Sequence, residues 1–281
     1  MKLAVAFSIL GAFRDAFRIA FPPTFQEIRK QPGLLWPTQW RTISALFMSY
    51  LWLVWGAGVD GNAKKDKERL LQPLDEDIRP KGVVLDIGAG YGLTAKYLDR
   101  SRVSHYVALE PNIFMHAHLR EIAKDVGFQE SDGSLIILSC GAEDTGSIVS
   151  ILSSHGIPAS TPPVNTIISI LSLCSIPDPQ KTLAKLVQDL LKPGGTFFTM
   201  EHVLHHREDV AWWQQFWAPF WSIVFDGCRM DRPSDLYMKS VEVRKEDGTK
   251  ESVWKGWRSW ITGNEVDEAL FWHHLGWYVK K

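Results

Sequence analysis

Two apolar stretches open the chain, and an alternation of strand and helix patterns follows them. Leu3 to Phe13 carries no charge, and Ile9, Phe13, Phe17 and Phe21 recur every four residues, on one helix face beside Arg14 and Arg18. A helix of this kind suits the plane of a membrane interface. Thr42 to Val59 is 18 residues without a charge, the lower limit for a spanning helix. Ser44, Ser49, Gly56 and Gly58 interrupt it, so a core or lid helix fits as well. From Lys81 the pattern predicts strands at Val83–Leu85, Tyr106–Leu109, Leu135–Leu138, Thr166–Leu171 and Thr196–Met200. Helices are predicted over Gly92–Leu98, Phe114–Val126 and Thr182–Leu191, with a turn at Pro193-Gly194-Gly195. Ser147 to Pro163 reads as a helix stub and loop inserted before the fourth strand. Further on, Val210–Phe225 reads as a helix, Val241–Val243 as a strand with a turn at Asp247-Gly248, and Gly276–Val279 as the last strand. The alternation predicts an α/β fold, doubly wound on a mostly parallel seven-stranded sheet, over residues 65–281. Residues 1–64 form a hydrophobic helical extension, an anchor or lid.

Composition narrows the function. The net charge of −1 excludes a domain-wide basic surface for nucleic acid. Cys140, Cys174 and Cys228 are odd in number and widely spaced, which excludes a disulfide scaffold and a CxxC metal site and suits a reducing, intracellular compartment. The 13 tryptophans sit on the flanks: Trp36, Trp40, Trp52 and Trp55, then none until Trp212. Trp213, Trp217 and Trp221 share a helix face and either pack on the core or line an apolar pocket. Residues 1–60 hold six Lys/Arg against three Asp/Glu, a bias that suits an anionic membrane surface such as that of the endoplasmic reticulum.

The most informative segment is Asp86-Ile87-Gly88-Ala89-Gly90-Tyr91-Gly92, which follows a strand and opens a helix. Alternate glycines let the backbone turn sharply and approach a ligand. A helix N-terminus behind them would offer free N–H groups. The dinucleotide fingerprint G-x-G-x-x-G requires a third glycine where this chain has Leu93. Asp86 can face a cationic amino-acid ligand. Glu110 ends the second strand, where a carboxylate would grip ribose hydroxyls.

These residues resemble the class I S-adenosylmethionine-dependent methyltransferases. Val84 to Gly92 is similar to their first motif and Leu109-Glu110-Pro111-Asn112 to their ribose-binding strand end. Cys140-Gly141-Ala142-Glu143 is similar to the segment flanking adenine, and Leu190 to Gly195 to the turn before strand five. The resemblance implies S-adenosylmethionine as cofactor, held by Asp86, Gly88, Gly90, Gly92, Glu110, Pro111, Asn112, Ala142, Glu143 and Leu171. Leu171 to Ile176, Glu201-His202-Val203, Phe220-Trp221 and Asp226-Gly227-Cys228 resemble the membrane-associated methyltransferase-like protein seven family, which includes thiol methyltransferases. The Ser147–Pro163 insertion and the Trp-rich tail after Trp254 depart from it.

Methyl transfer from a sulfonium is an in-line displacement, and a protein base is needed only if the acceptor is protonated. His202 and Glu201 are the candidate catalytic groups, with His205 and His206 behind them. Ser175, Trp217, Trp221 and Asp226 are candidates for the substrate wall, and Cys174 for a small buried residue near the methyl group. His205-His206 lacks a third ligand at a diagnostic spacing, so no metal is expected. The expected activity is methylation of a small apolar acceptor (thiol, hydroxyl or amine), as in metabolite biosynthesis, with membrane association through the N-terminus. An NAD(P)-dependent oxidoreductase and a non-catalytic cofactor-binding scaffold remain the alternatives.

Overall fold

The computed structural model describes residues 1–158, 162–245, 248–263 and 266–281. The N-terminal helices are α1 (Leu3–Ala6), α2 (Ile9–Lys30), α3 (Trp40–Asn62) and α4 (Lys64–Leu71). Strands β1 (Gly82–Ile87), β2 (Val103–Leu109) and β3 (Leu135–Leu138) follow, with α5 (His116–Asp125) between β2 and β3. Then come α6 (Thr145–Ser154), β4 (Val164–Ile170), α7 (Pro179–Lys185), β5 (Leu191–Val203), α8 (Glu208–Val224) and α9 (Ser234–Lys239). The chain closes on β6 (Glu242–Arg244), β7 (Lys250–Ser252), β8 (Trp254–Ile261) and β9 (Trp272–Lys280).

Among the described residues the main sheet has seven strands in the order β3-β2-β1-β4-β5-β9-β8. β1 to β5 pair in parallel, while β9 runs antiparallel to both β5 and β8. The expected mostly parallel α/β sheet is therefore the observed one. Alternation along β1 divides the core: Val83, Leu85 and Ile87 join one apolar cluster and Val84 the cluster on the opposite face. A third cluster joins the N-terminal helices to α8 through Ile9, Ala16, Ala20, Leu51, Trp217 and Trp221.

Several elements differ from the sequence reading. The helix expected at Gly92–Leu98 is only a 3₁₀ turn, Leu93–Tyr97. Pro193 to Gly195 lie within β5, where the register with β4 shifts. The strand at Val241–Val243 pairs with β7 in a separate hairpin. Asp247 of its expected turn lies outside the described residues, as do residues 159–161 of the inserted loop. The Ile9/Phe13/Phe17/Phe21 face of α2 divides. Ile9 is buried and Phe13 packs on Trp221 and Phe225, whereas Phe17 and Phe21 are exposed. Phe17 nevertheless meets Phe47 of α3, with ring centroids 5.4 Å apart, and the small residues Ala16, Ala20 and Thr24 of α2 are buried.

Candidate active site

After β1 the chain turns through Gly88, Gly90 and Gly92, all at positive φ (64°, 56° and 75°), which glycine adopts without a Cβ penalty. Their surroundings differ. A Cβ at Gly88 would lie 2.5 Å from Ser172 Oγ, and one at Gly92 would lie 3.3 Å from Leu119 Cγ. These two glycines seat the loop on the protein. A Cβ at Gly90 would lie 3.2 Å from Trp52 Nε1, so Gly90 faces α3.

The acids around the loop are buried and bonded. Asp86 accepts from the Tyr106 hydroxyl at 2.7 Å, and burial pushes its pKa up to about 6. Asp86 thus ties β1 to β2. Glu110 accepts from the Gly90 N–H at 2.7 Å and the Asn112 N–H at 2.8 Å, and burial pushes it up to about 7. A carboxylate offers about four acceptor positions, so two remain. The Gly90 N–H is thus engaged by Glu110, and in place of the helix expected to offer free N–H groups behind the glycines there is only a 3₁₀ turn. The side chain of Asn112 accepts from Phe114 N–H at 3.2 Å and donates to the Ala45 carbonyl at 2.8 Å. The Tyr91 hydroxyl donates to the Ser49 carbonyl. Both bonds end on α3 and hold it across the loop. Pro111 is exposed, Ala142 is buried after β3, and Glu143 is exposed beside Gly141.

Under α3 lies a cavity of about 630 Å³. Leu171 and Ser175 after β4, with Met200 and His202 of β5, line one side. Trp52 and Trp55 line another, and Trp221, Phe225 and Cys228 the end. Leu171 holds a left-handed backbone at φ 56°, strained for a residue with a Cβ, and its N–H donates to the Met200 carbonyl at 2.8 Å. Of His202, Nδ1 is sealed from solvent, and the ring centroid is 4.7 Å from that of His273.

Strand alternation separates the two expected catalytic groups. Met200 and His202 face the cavity, whereas Glu201 does not line it. Glu201 accepts from Ser169 Oγ at 2.6 Å, Ser172 N–H at 3.0 Å and Leu173 N–H at 3.1 Å. This corrects the expected base into a clamp on the turn after β4. Trp217 is likewise committed elsewhere: its Nε1 donates to the Ala6 carbonyl at 2.9 Å and docks α1. Asp226, at φ 47°, is exposed beyond the end of α8 and does not line the cavity. Ser175 and Trp221 do line it.

Sequence reasoning gave no site role to Trp52, Trp55 or His273. The two tryptophans were signalled only by aromatic density at one end of an uncharged run, and His273 by nothing local. His205, His206 and Asp267 also come together, supplying the third group that spacing did not show. Asp267, however, is paired with Arg207 at 2.7 Å, and His205 Nδ1 accepts from the Arg207 N–H.

The residues fit S-adenosylmethionine as a ligand. A glycine with no side chain faces α3, the anchored Glu110 has acceptor positions to spare, and an apolar cavity under the same helix is of small-molecule size.

Residues 59–237 match a family described as a methyltransferase domain. Human thiol S-methyltransferase TMT1A is 38% identical over 74 residues, which are 25% of this chain and 29% of that protein. The match thus spans less than a third of that relative's length. Among solved structures, the YcgJ protein of Bacillus subtilis is 13% identical with TM-score 0.52, covering 77% of this chain and 99% of that one. A geranyl diphosphate methyltransferase in complex with GPP and sinefungin is 15% identical with TM-score 0.50, covering 78% and 77%. These two likenesses are of fold.

Proposed function

The chain belongs to the methyltransferase domain family, whose methyl donor in this fold is S-adenosylmethionine, and on that premise we propose that it methylates a small apolar acceptor, a thiol before a hydroxyl or an amine. The observation that carries this reading is the apolar cavity at the carboxyl ends of β4 and β5, roofed by the same Trp52 that meets Gly90. The bound donor supplies a methyl already activated on a sulfonium, so the chain's own task is alignment and exclusion of water. Glu110 would take the ribose hydroxyls on its remaining acceptor positions. Ala142 and Glu143 would flank the adenine, and Leu171 with Ser175 would border the reacting centre. Trp52, Trp55 and Trp221 close the acceptor space against water.

A thiol, with a pKa of about 8.5, asks least of a protein base. That suits a floor from which Glu201 is turned away. The likeness to human thiol S-methyltransferase TMT1A supports the same acceptor. To test it, the full chain is incubated with labelled S-adenosylmethionine and size-matched thiol, phenol and amine acceptors. Label should pass fastest to the thiol; transfer to none of the three overturns the reading.

Residues 1–64 are proposed as the lid over this cavity and as a membrane-facing element. Phe17, Phe21 and Phe25 on α2 and Trp212, Phe216 and Phe220 on α8 are all exposed, an apolar display that suits a lipid interface. α3 is long and apolar enough to cross a membrane, yet it is bonded to the cofactor loop. Flotation with anionic vesicles should carry the chain upward, and Phe17→Asp with Phe216→Asp should leave it in the dense fraction. Wild type that stays in the dense fraction overturns the membrane reading.

A further inference from the structure

Cys174 and Cys228, separated by 53 intervening residues, meet at one end of the cavity. Their sulfurs are 3.3 Å apart, and both cysteines are buried. A ring nitrogen of His202 completes the group: the three ligand atoms all lie within 4.8 Å of one another. Backbone bonds fix the two thiols, Cys228 N–H to the Phe225 carbonyl at 2.9 Å and Arg229 N–H to the Cys174 carbonyl at 3.0 Å. His202 Nδ1 and Trp221 Nε1 are both buried, and the polar group beside both rings is the Cys228 sulfur.

We propose that Cys174, Cys228 and His202 bind a soft divalent metal ion of the zinc type, with its fourth position open to the cavity. Thiolate and imidazole donors without a carboxylate favour zinc over calcium, magnesium or manganese. Zinc–sulfur bonds of about 2.3 Å in a tetrahedron set a sulfur–sulfur edge of about 3.8 Å. The thiols therefore need to separate by about half an ångström from their 3.3 Å contact. Three protein ligands with one free position is the arrangement of catalytic rather than structural zinc sites. His202 and Cys228 line the cavity, so the free position looks into it.

On binding, both thiols lose their protons to solvent and the sulfurs bond the ion as thiolates. A further consequence rests on the acceptor-cavity reading above. An entering thiol would bond the ion through sulfur while its S–H proton leaves to water, and a metal-bound thiol is held as thiolate. The site would then hold the acceptor as thiolate without a separate protein base.

The test uses the untagged full chain, reduced and freed of metal, then loaded with zinc or with cobalt(II) as a spectroscopic probe. After gel filtration, one zinc per chain should remain. The cobalt form should show a thiolate-to-metal charge-transfer band, and adding a small thiol should change its ligand-field spectrum. Cys174→Ser and Cys228→Ser should each weaken zinc affinity at least about 100-fold. S-adenosylmethionine binding, measured by calorimetry on the same samples, shows whether each variant is folded and reports on the cofactor reading separately. Absence of stoichiometric zinc from reduced wild type overturns the proposal. So does zinc retained equally by both serine variants, or a Cys174–Cys228 disulfide that forms in air and leaves metal uptake under reducing conditions at zero.

Discussion

The glycine loop and the cavity floor treat polar groups in opposite ways. Around the loop every buried acid has named partners: Asp86 with Tyr106, Glu110 with two backbone amides, and Glu201, behind the floor, with a hydroxyl and two amides. On the floor, His202 Nδ1 and Trp221 Nε1 meet no backbone group or carboxylate and have only the soft Cys228 sulfur beside them. The saturated region is pre-formed, with its geometry fixed before any ligand arrives. The unsaturated region keeps its polar capacity for something that enters the cavity. One arrangement specifies shape, the other chemistry.

The contrast can be broken most severely at Glu201. Glu201→Ala leaves the Ser172 and Leu173 amides buried without partners and should destabilise the fold by about 3 kcal/mol or more. Urea unfolding measures this, and a loss under about 1 kcal/mol would mean the clamp is idle. Next is Glu110→Ala, expected to weaken S-adenosylmethionine binding by about 2–4 kcal/mol by calorimetry. A 2′,3′-dideoxyribose analogue should barely respond; equal losses for both ligands would remove Glu110 from the ribose site.

A pH series sharpens the same point. Burial raises the Glu110 pKa to about 7, and the carboxylate is the form that accepts from hydroxyls. Cofactor affinity should therefore rise about tenfold between pH 6 and pH 8. Stability has the opposite sign. The contribution of a raised carboxyl is whole below the ordinary carboxylate range and is lost as pH rises through about 7. Asp86, raised to about 6, adds a slope of the same sign lower down. Glu110→Gln should flatten the affinity profile and the upper part of the stability profile; a slope that persists in affinity assigns the titration elsewhere. The smallest effect is expected at Trp217→Phe, which removes the bond to the Ala6 carbonyl. It should lower stability by about 1 kcal/mol and leave cofactor binding unchanged, as thermal melts and calorimetry would show.

The same contrast explains what was legible in the sequence. β1 to β5 and the glycine loop announce themselves within a few residues, because strand runs, alternate glycines and a terminal acid are local signals. The reason for each glycine is not local: Gly88 answers to Ser172 and Gly92 to Leu119. β8 and α9 escaped because Trp254–Ile261 mixes aromatic and charged residues without clean alternation, and Ser234–Lys239 is too short to show a period. Glu201 and His202 look equally placed in the sequence, and only the pleat sends one to each face. The Cys174–Cys228 approach depends on α8 returning its end to β4, which no spacing rule encodes.

The indole of Trp52 stands at once against the glycine loop and over the cavity, on a helix that Tyr91 and Asn112 bind. Whatever enters beneath that roof on one side changes the free energy of filling the other, and by linkage the influence is mutual. A donor that presses the indole outward would open room for the acceptor, giving an obligatory order of arrival. Departure of the spent donor would then require the helix to loosen two hydrogen bonds. Turnover under saturating acceptor would in that case be timed by the roof rather than by the transfer of the methyl.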